Sequence, residues 1–279
     1  MKGYFVTLSL IGLFAILLAF SAKVRDYSAA TSLEFSGHGW AQKISGAKGD
    51  ISRNLGELYG TRMAATSAEG AENVTIFQSA SANGTVLESY RRFVSGTLSA
   101  MLGANLSLDN TSAGGPYRIE GPGGLYYDCN YSTGSFTLSS TAQSTNISSI
   151  RLSIVSDADR NGTEPIVSAS AGSLPVRVDY SDLSGTYAYE GDINGSGTNY
   201  IFINASGGNK TVNISLGNIG GTANAIFVSA ANMTAEWNIT FPLQVAGQSP
   251  SEWHFQEVFS AGSPGISVSS RVPVGIGRA

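Results

Sequence analysis

Thirteen asparagines begin the triplet N-x-[ST], in which the Asn carboxamide nitrogen is an acceptor for an N-linked sugar. They are Asn73, Asn83, Asn105, Asn110, Asn130, Asn146, Asn161, Asn194, Asn204, Asn209, Asn213, Asn232 and Asn238. The chain has seventeen asparagines, and Ser and Thr make up about a fifth of it. Chance would then produce roughly four such triplets. The excess goes beyond what the ordinary abundance of Asn, Ser and Thr in turns supplies. Sugars are attached on the outer side of a membrane to exposed acceptors. The bulk of the chain is therefore expected outside.

Two other stretches carry oxygen ligands at the spacing of a calcium loop. In Asp157-Ala158-Asp159-Arg160-Asn161-Gly162 the oxygens come from Asp157, Asp159 and Asn161. In Asp192-Ile193-Asn194-Gly195-Ser196-Gly197 they come from Asp192, Asn194 and Ser196. Both runs place oxygens at positions 1, 3 and 5 and Gly at 6, which suits a hard cation. The Glu expected at position 12 is replaced by Ser168 and Ile203, although Glu164 could substitute in the first run. Asp-x-Asn and Asn-Gly between strands are also ordinary turn chemistry. A turn is the first reading and calcium the second, and no other cofactor is expected.

Nothing assembles a catalytic set. The two histidines, His38 and His254, are far apart, and no G-x-S-x-G elbow occurs. One Cys and two distant His cannot close a zinc site. Gly121-Pro122-Gly123-Gly124 lacks the Lys of a phosphate-binding loop. Tyr126, Tyr127 and Tyr131 surround Cys129, and these are read, with Trp237 and Trp253, as core. No enzymatic activity is expected.

Composition narrows the classes further. Of 279 residues, 13% are charged, against about 25% in an ordinary soluble domain. A net charge of −4 supplies no basic patch for nucleic acid. Cys129, the single cysteine, excludes an intramolecular disulfide. Polarity must come from Ser, Thr, Asn and Gly, or from sugars attached to them.

The elements that would display these residues fall into three parts. Tyr4 to Ala22 is an uncharged run long enough to cross a bilayer as a helix of about 28 Å. Residues 1–34 are thus expected to be a single transmembrane anchor with a helical stem. Residues 35–110 are expected to be a mixed, largely helical, membrane-proximal region. One stripe there is Trp40, Ile44, Ala47, Ile51, Leu55 and Leu58. Another is Leu87, Tyr90, Val94, Leu98 and Met101, with Gly103 as a stop. Residues 111–279 are expected to be an antiparallel β-sandwich-like head. Its strands are read at 135–138, 150–155, 176–180, 186–190, 200–204, 211–216, 225–228, 236–241 and 266–272. In Val212-Asn213-Ile214 and Trp237-Asn238-Ile239 the acceptor Asn falls on the polar face. The fold class is mainly β with N-terminal helices.

Lys2-Gly3 followed at once by the apolar run from Tyr4 resembles the short signal of archaeal type IV pilin-like proteins. The resemblance implies cleavage between Gly3 and Tyr4 on the inner side. It also implies a retained helix that packs with its copies and a β-rich, often glycosylated head outside. Leu8 and Ser9 occupy the neighbourhood where that family commonly has an acidic residue, which is compatible with a minor or pseudopilin subunit. The expected function is that of a membrane-anchored extracellular surface glycoprotein with a structural or adhesive role. Its partners would be the membrane and further copies or other pilin-like subunits. The alternative is a monomeric single-pass module that binds carbohydrate or an envelope polymer.

Overall fold

Residues 39–58 form a helix, α1, on the stripe expected there: Ile44, Ala47, Ile51 and Leu55 are all buried. The computed structural model describes residues 39–68, 71–79, 84–109, 117–130, 134–140, 146–160, 163–205, 209–219, 222–231, 233–244, 252–263 and 266–278. Gly3, Tyr4, the apolar run and its stem lie outside these residues. Among the described residues no helix is long and apolar enough to cross a membrane. The chain divides into two units, Met1–Gly49 and Asp50–Ala279. The described part of the first is the helical stretch 39–49; everything below concerns the second.

Gly60, with φ 61°, ends α1 in the left-handed conformation open to glycine. The chain turns there and enters the first strand with Tyr59 and Thr61 both buried. The strands are β1 (Thr61–Ala68), β2 (Ala71–Gln78), β3 (Asn105–Asp109), β4 (Tyr117–Glu120), β5 (Leu125–Asn130), β6 (Ser135–Ser140), β7 (Asn146–Ile147), β8 (Ile150–Ser156) and β9 (Ile166–Ser168), followed by β10 (Ala171–Asp182), β11 (Gly185–Ile193), β12 (Thr198–Ala205), β13 (Lys210–Ile219), β14 (Thr222–Ala231), β15 (Ala235–Gln244), β16 (His254–Ser263), β17 (Ile266–Pro273) and β18 (Ile276–Arg278). Between β2 and β3 lies α2 (Gly84–Phe93), which runs through a π turn (Val94–Leu98) into α3 (Ser99–Leu102).

Two sheets make a sandwich-like fold. One has the order β11-β10-β8-β15-β2-β1-β18, with β7 beside β15. The other has the order β17-β16-β4-β5-β6-β14-β13-β12-β9, with β3 beside β16. All nine expected strands lie within observed ones. Alternation places Trp237, Ile239 and Phe241 of the first sheet inward, and Val212, Ile214 and Leu216 of the second. The sheets meet where the Trp237 ring lies 4.9 Å from that of Phe136 and the Trp237 Nε1–H donates to the Tyr127 hydroxyl at 2.9 Å.

Two expectations are corrected. Within the stretch expected to be mixed and largely helical, residues 61–68 and 71–78 form the paired strands β1 and β2, and β2 pairs with β15 along seven residues. Two pairings are parallel, β8 with β10 and β1 with β18, so the fold is not wholly antiparallel. Met101 is 74% exposed although it continues the stripe that buries Val94. The π turn inserts a residue, which rotates the next turn by about 100° and carries Met101 off the buried face. The expected stop does hold, with Gly103 capping α3 at φ 63°.

Gly121, at the start of the Pro122–Gly124 turn, lies against the face of Trp253. A Cβ there would fall 2.6–2.7 Å from three ring carbons. Trp253 is 1% exposed. Gly121→Ala is expected to destabilise the fold by about 1–3 kcal/mol, read as a lower Tm. An unchanged Tm would show that the ring can shift.

Candidate functional site

The acceptor asparagines are sorted by exposure. Asn73, Asn105, Asn194, Asn209 and Asn238 are exposed, and Asn130, Asn204 and Asn213 are half-buried on outward positions of their strands. None of these eight is buried. Asn199, which begins no acceptor triplet, is 1% exposed. Its Oδ1 accepts from the Ser170 N–H at 2.8 Å and from the Ser170 hydroxyl at 3.1 Å. Its Nδ2 donates to the carbonyls of Asn194 at 3.0 Å and Leu216 at 3.1 Å. Asn83, Asn110, Asn161 and Asn232 lie outside the described residues, as does the side chain of Asn146.

In the two calcium-like runs several described residues have partners of their own; Asn161 and Gly162 of the first lie outside the described residues. Asp157 accepts from the Thr234 N–H at 3.0 Å and lies 3.7 Å from Lys210 Nζ. Arg160, between Asp159 and Asn161, turns inward and donates from Nε to Asp182 Oδ2 at 3.0 Å. In the second run Asn194 Oδ1 accepts from the Ser196 N–H at 3.0 Å, an Asx turn. Asp192 opens on a groove of about 360 Å³ shared with Arg151, Arg177 and Glu190. There Arg177 and Arg151 lie 3.0 and 3.3 Å from Asp179, and Arg177 3.4 Å from Glu190. These charges neutralise one another. Among the described residues no group of three or more His, Cys, Asp or Glu could hold a metal.

The chemistry that the sequence reading missed lies in the core. β2 alternates Val74, Ile76, Gln78 inward, so a carboxamide follows two aliphatic side chains. Gln78 Nε2 donates to the carbonyls of Tyr59 at 2.6 Å and Ser79 at 3.1 Å. Two carbonyls at that end require the nitrogen there, which fixes the amide orientation. Gln78 Oε1 accepts from Thr61 Oγ1 at 2.6 Å, from the Tyr117 hydroxyl, and from the Tyr127 hydroxyl at 3.3 Å. Tyr117 and Tyr127 belong to the second sheet and Gln78 to the first, so this carboxamide ties the layers together.

A buried acid stands beside it. In β16, Phe255, Glu257, Phe259 and Ala261 alternate inward, and Glu257 is 1% exposed. The Tyr59 hydroxyl donates to its Oε1. Arg91 of α2 reaches to 3.9 Å from the same oxygen. Tyr59 stacks on Tyr117 with 4.3 Å between ring centroids. Burial raises the Glu257 carboxyl above its ordinary value, against the pull of Tyr59 and Arg91. Burial, then the neighbouring Glu257, raises the Tyr59 phenol as well. Cys129, expected as a small buried hydrophobe, is 2% exposed, and burial pushes its thiol up to about 12.

His254 is half-buried, with its Nε2 3.9 Å from Glu252. Trp237, Trp253 and Tyr127 are core, as expected; His38 and Tyr131 lie outside the described residues. Compared with protein-family models, with curated proteins and with solved structures, the chain matches none.

Two carboxyls make opposite pH predictions. Burial raises Asp182, but hydrogen bonds from the Ser184 hydroxyl and N–H, together with Arg160, outweigh it and hold the carboxyl below 3.8. Its stabilisation is present above that value and is lost as pH falls through the folded value. Asp182→Ala leaves the buried Arg160 unpaired and is expected to cost about 3 kcal/mol at neutral pH, measured by chemical denaturation. Glu257 has a raised folded value, so its contribution is complete below 4.5 and is lost as pH rises. That loss has a slope of at most about 1.4 kcal/mol per pH unit. Glu257→Gln keeps an acceptor for Tyr59 and should flatten this part of the stability–pH curve. An unchanged slope would mean that Glu257 does not titrate there.

Proposed function

We propose that the chain is a membrane-anchored surface glycoprotein facing outward, a pilin-like structural or adhesive subunit that assembles through an apolar N-terminal helix. The observation that supports the outward topology is the exposure of the acceptors: every acceptor whose exposure is described reaches the surface. A chain with 13% charged residues gains from sugars the hydration that its side chains do not provide. The pilin-like part rests on Lys2-Gly3 and the uncharged run behind it. Its mechanism would be mechanical: the helix packs against copies of itself through small residues such as Gly12 and Ala15, and the head is displayed.

Mass spectrometry of the native protein tests both halves. The expected result is a mature N-terminus at Tyr4, sugars on the exposed acceptors, and sedimentation as a polymer. An intact Met1 on a detergent-solubilised monomer would remove the subunit reading. Empty acceptor sites throughout would remove the outward topology.

A further inference from the structure

Thr61 and Gln78 face each other directly across the β1–β2 hairpin. Both are buried, at 2% and 1% exposure, and the hydroxyl lies 2.6 Å from the carboxamide oxygen. The surroundings of that oxygen are those of a carbonyl prepared for attack. The Tyr117 hydroxyl touches both Thr61 Oγ1 and Gln78 Oε1. The Tyr127 hydroxyl donates to Oε1 while itself accepting from Trp237 Nε1, which strengthens it as a donor. Donors fixed around a carbonyl oxygen in a water-poor site stabilise the charge that develops when the carbon is attacked. Thr61 Oγ1 is held against the carboxamide by its hydrogen bond to Oε1, and a nucleophile so tethered has a high effective concentration at the adjoining carbon. A cavity of about 130 Å³ borders Gln78, Ser79 and Cys129, with room for a small departing molecule.

We propose that Thr61 and Gln78 are joined by a side-chain ester formed within the folded protein with loss of ammonia. Thr61 Oγ1 attacks Gln78 Cδ. The Tyr117 hydroxyl takes the threonine proton and passes its own to Oε1, giving a neutral tetrahedral intermediate. Collapse restores the carbonyl, and the Oε1 proton moves to nitrogen. The Cδ–Nε2 bond breaks with its electron pair on nitrogen, and ammonia departs into the cavity. One Oγ1–Cδ bond replaces one Cδ–Nε2 bond, and no oxidant or reductant is involved. Tyr117 and Tyr127 are the catalytic residues of this step. The bond would give a chain with no possible internal disulfide a covalent tie between its first two strands.

Peptide mapping of the full-length folded chain, with sugars removed enzymatically, is the test. Cleavage at Arg53, Arg62 and Arg91 separates Thr61 from Gln78, so the ester would hold peptides 54–62 and 63–91 together at a mass one ammonia below their sum. Alkaline hydroxylamine should part them and leave a hydroxamate at position 78. This distinguishes the ester from a succinimide at an Asn-Gly pair, which loses the same mass without joining peptides. Thr61→Val should abolish the joined species, and Thr61→Ser should retain it. Two separate peptides with an intact Gln78 from folded wild-type protein would overturn the proposal. If peptide 63–91 is instead found joined to peptide 119–151, and that species persists in Thr61→Val and vanishes in Cys129→Ala, the proposal is overturned too, because the nucleophile is then the thiol. The wild-type map decides even if a variant does not fold.

Discussion

One carboxamide holds the two layers in register. Gln78 reaches out of the first sheet and is gripped by Tyr117 and Tyr127 of the second, while its nitrogen is held by the carbonyl of Tyr59 at the turn out of α1 and that of Ser79 just after β2. Such a group is costly to bury without partners and only modestly stabilising with them. Its value is in specifying one arrangement. A one-residue slip of β2 would point Gln78 at solvent and leave two tyrosine hydroxyls in the core without their acceptor. Trp237 extends the same logic, since it packs on Phe136 and donates to Tyr127. The apolar contacts supply the attraction between sheets, and the polar ones select the register.

The scarcity of charge has a related consequence. Buried ion pairs are few enough that each can be given a local role. Arg160 and Asp182 join the loop after β8 to the β10–β11 hairpin, with 7% and 0% of their side chains exposed. Arg177, Arg151, Asp179 and Glu190 form an exposed ladder across β8, β10 and β11, where each pair contributes little.

The strands most legible in the sequence were those with strict alternation and aliphatic inward positions, such as 212–216 and 236–241. Two of those missed have polar groups facing in: β2 ends its alternation on Gln78, and β16 interrupts its own with Glu257, which weakens the pattern that marks a half-buried strand. Others, such as β3 and β4, alternate cleanly but over only five and four residues. α1 was legible because its stripe keeps helical spacing from Ile44 to Leu55. α2 was legible as far as Val94, after which the π turn altered the spacing that any fixed period assumes. The acceptor asparagines could be found because they are defined by adjacent residues. The Thr61–Gln78–Tyr117–Tyr127 cluster could not, because its members come from four strands and two sheets.

Glu257 is the member of this core that stability alone does not account for. An acid at 1% exposure, with Arg91 at 3.9 Å and Oε2 without a hydrogen-bond partner among the described residues, is poorly compensated. A leucine there would remove the desolvation penalty. What the carboxyl supplies is an acceptor for Tyr59. That phenol stacks on Tyr117, and its backbone carbonyl anchors the Gln78 nitrogen. Glu257 therefore acts on the carboxamide through Tyr59. It locates the end of α1 against the second sheet, and the position of that end determines where the carbonyl that holds Gln78 will lie. The buried acid is an adverse term that positions a favourable one, which is how polar residues in a core confer specificity at a cost in stability.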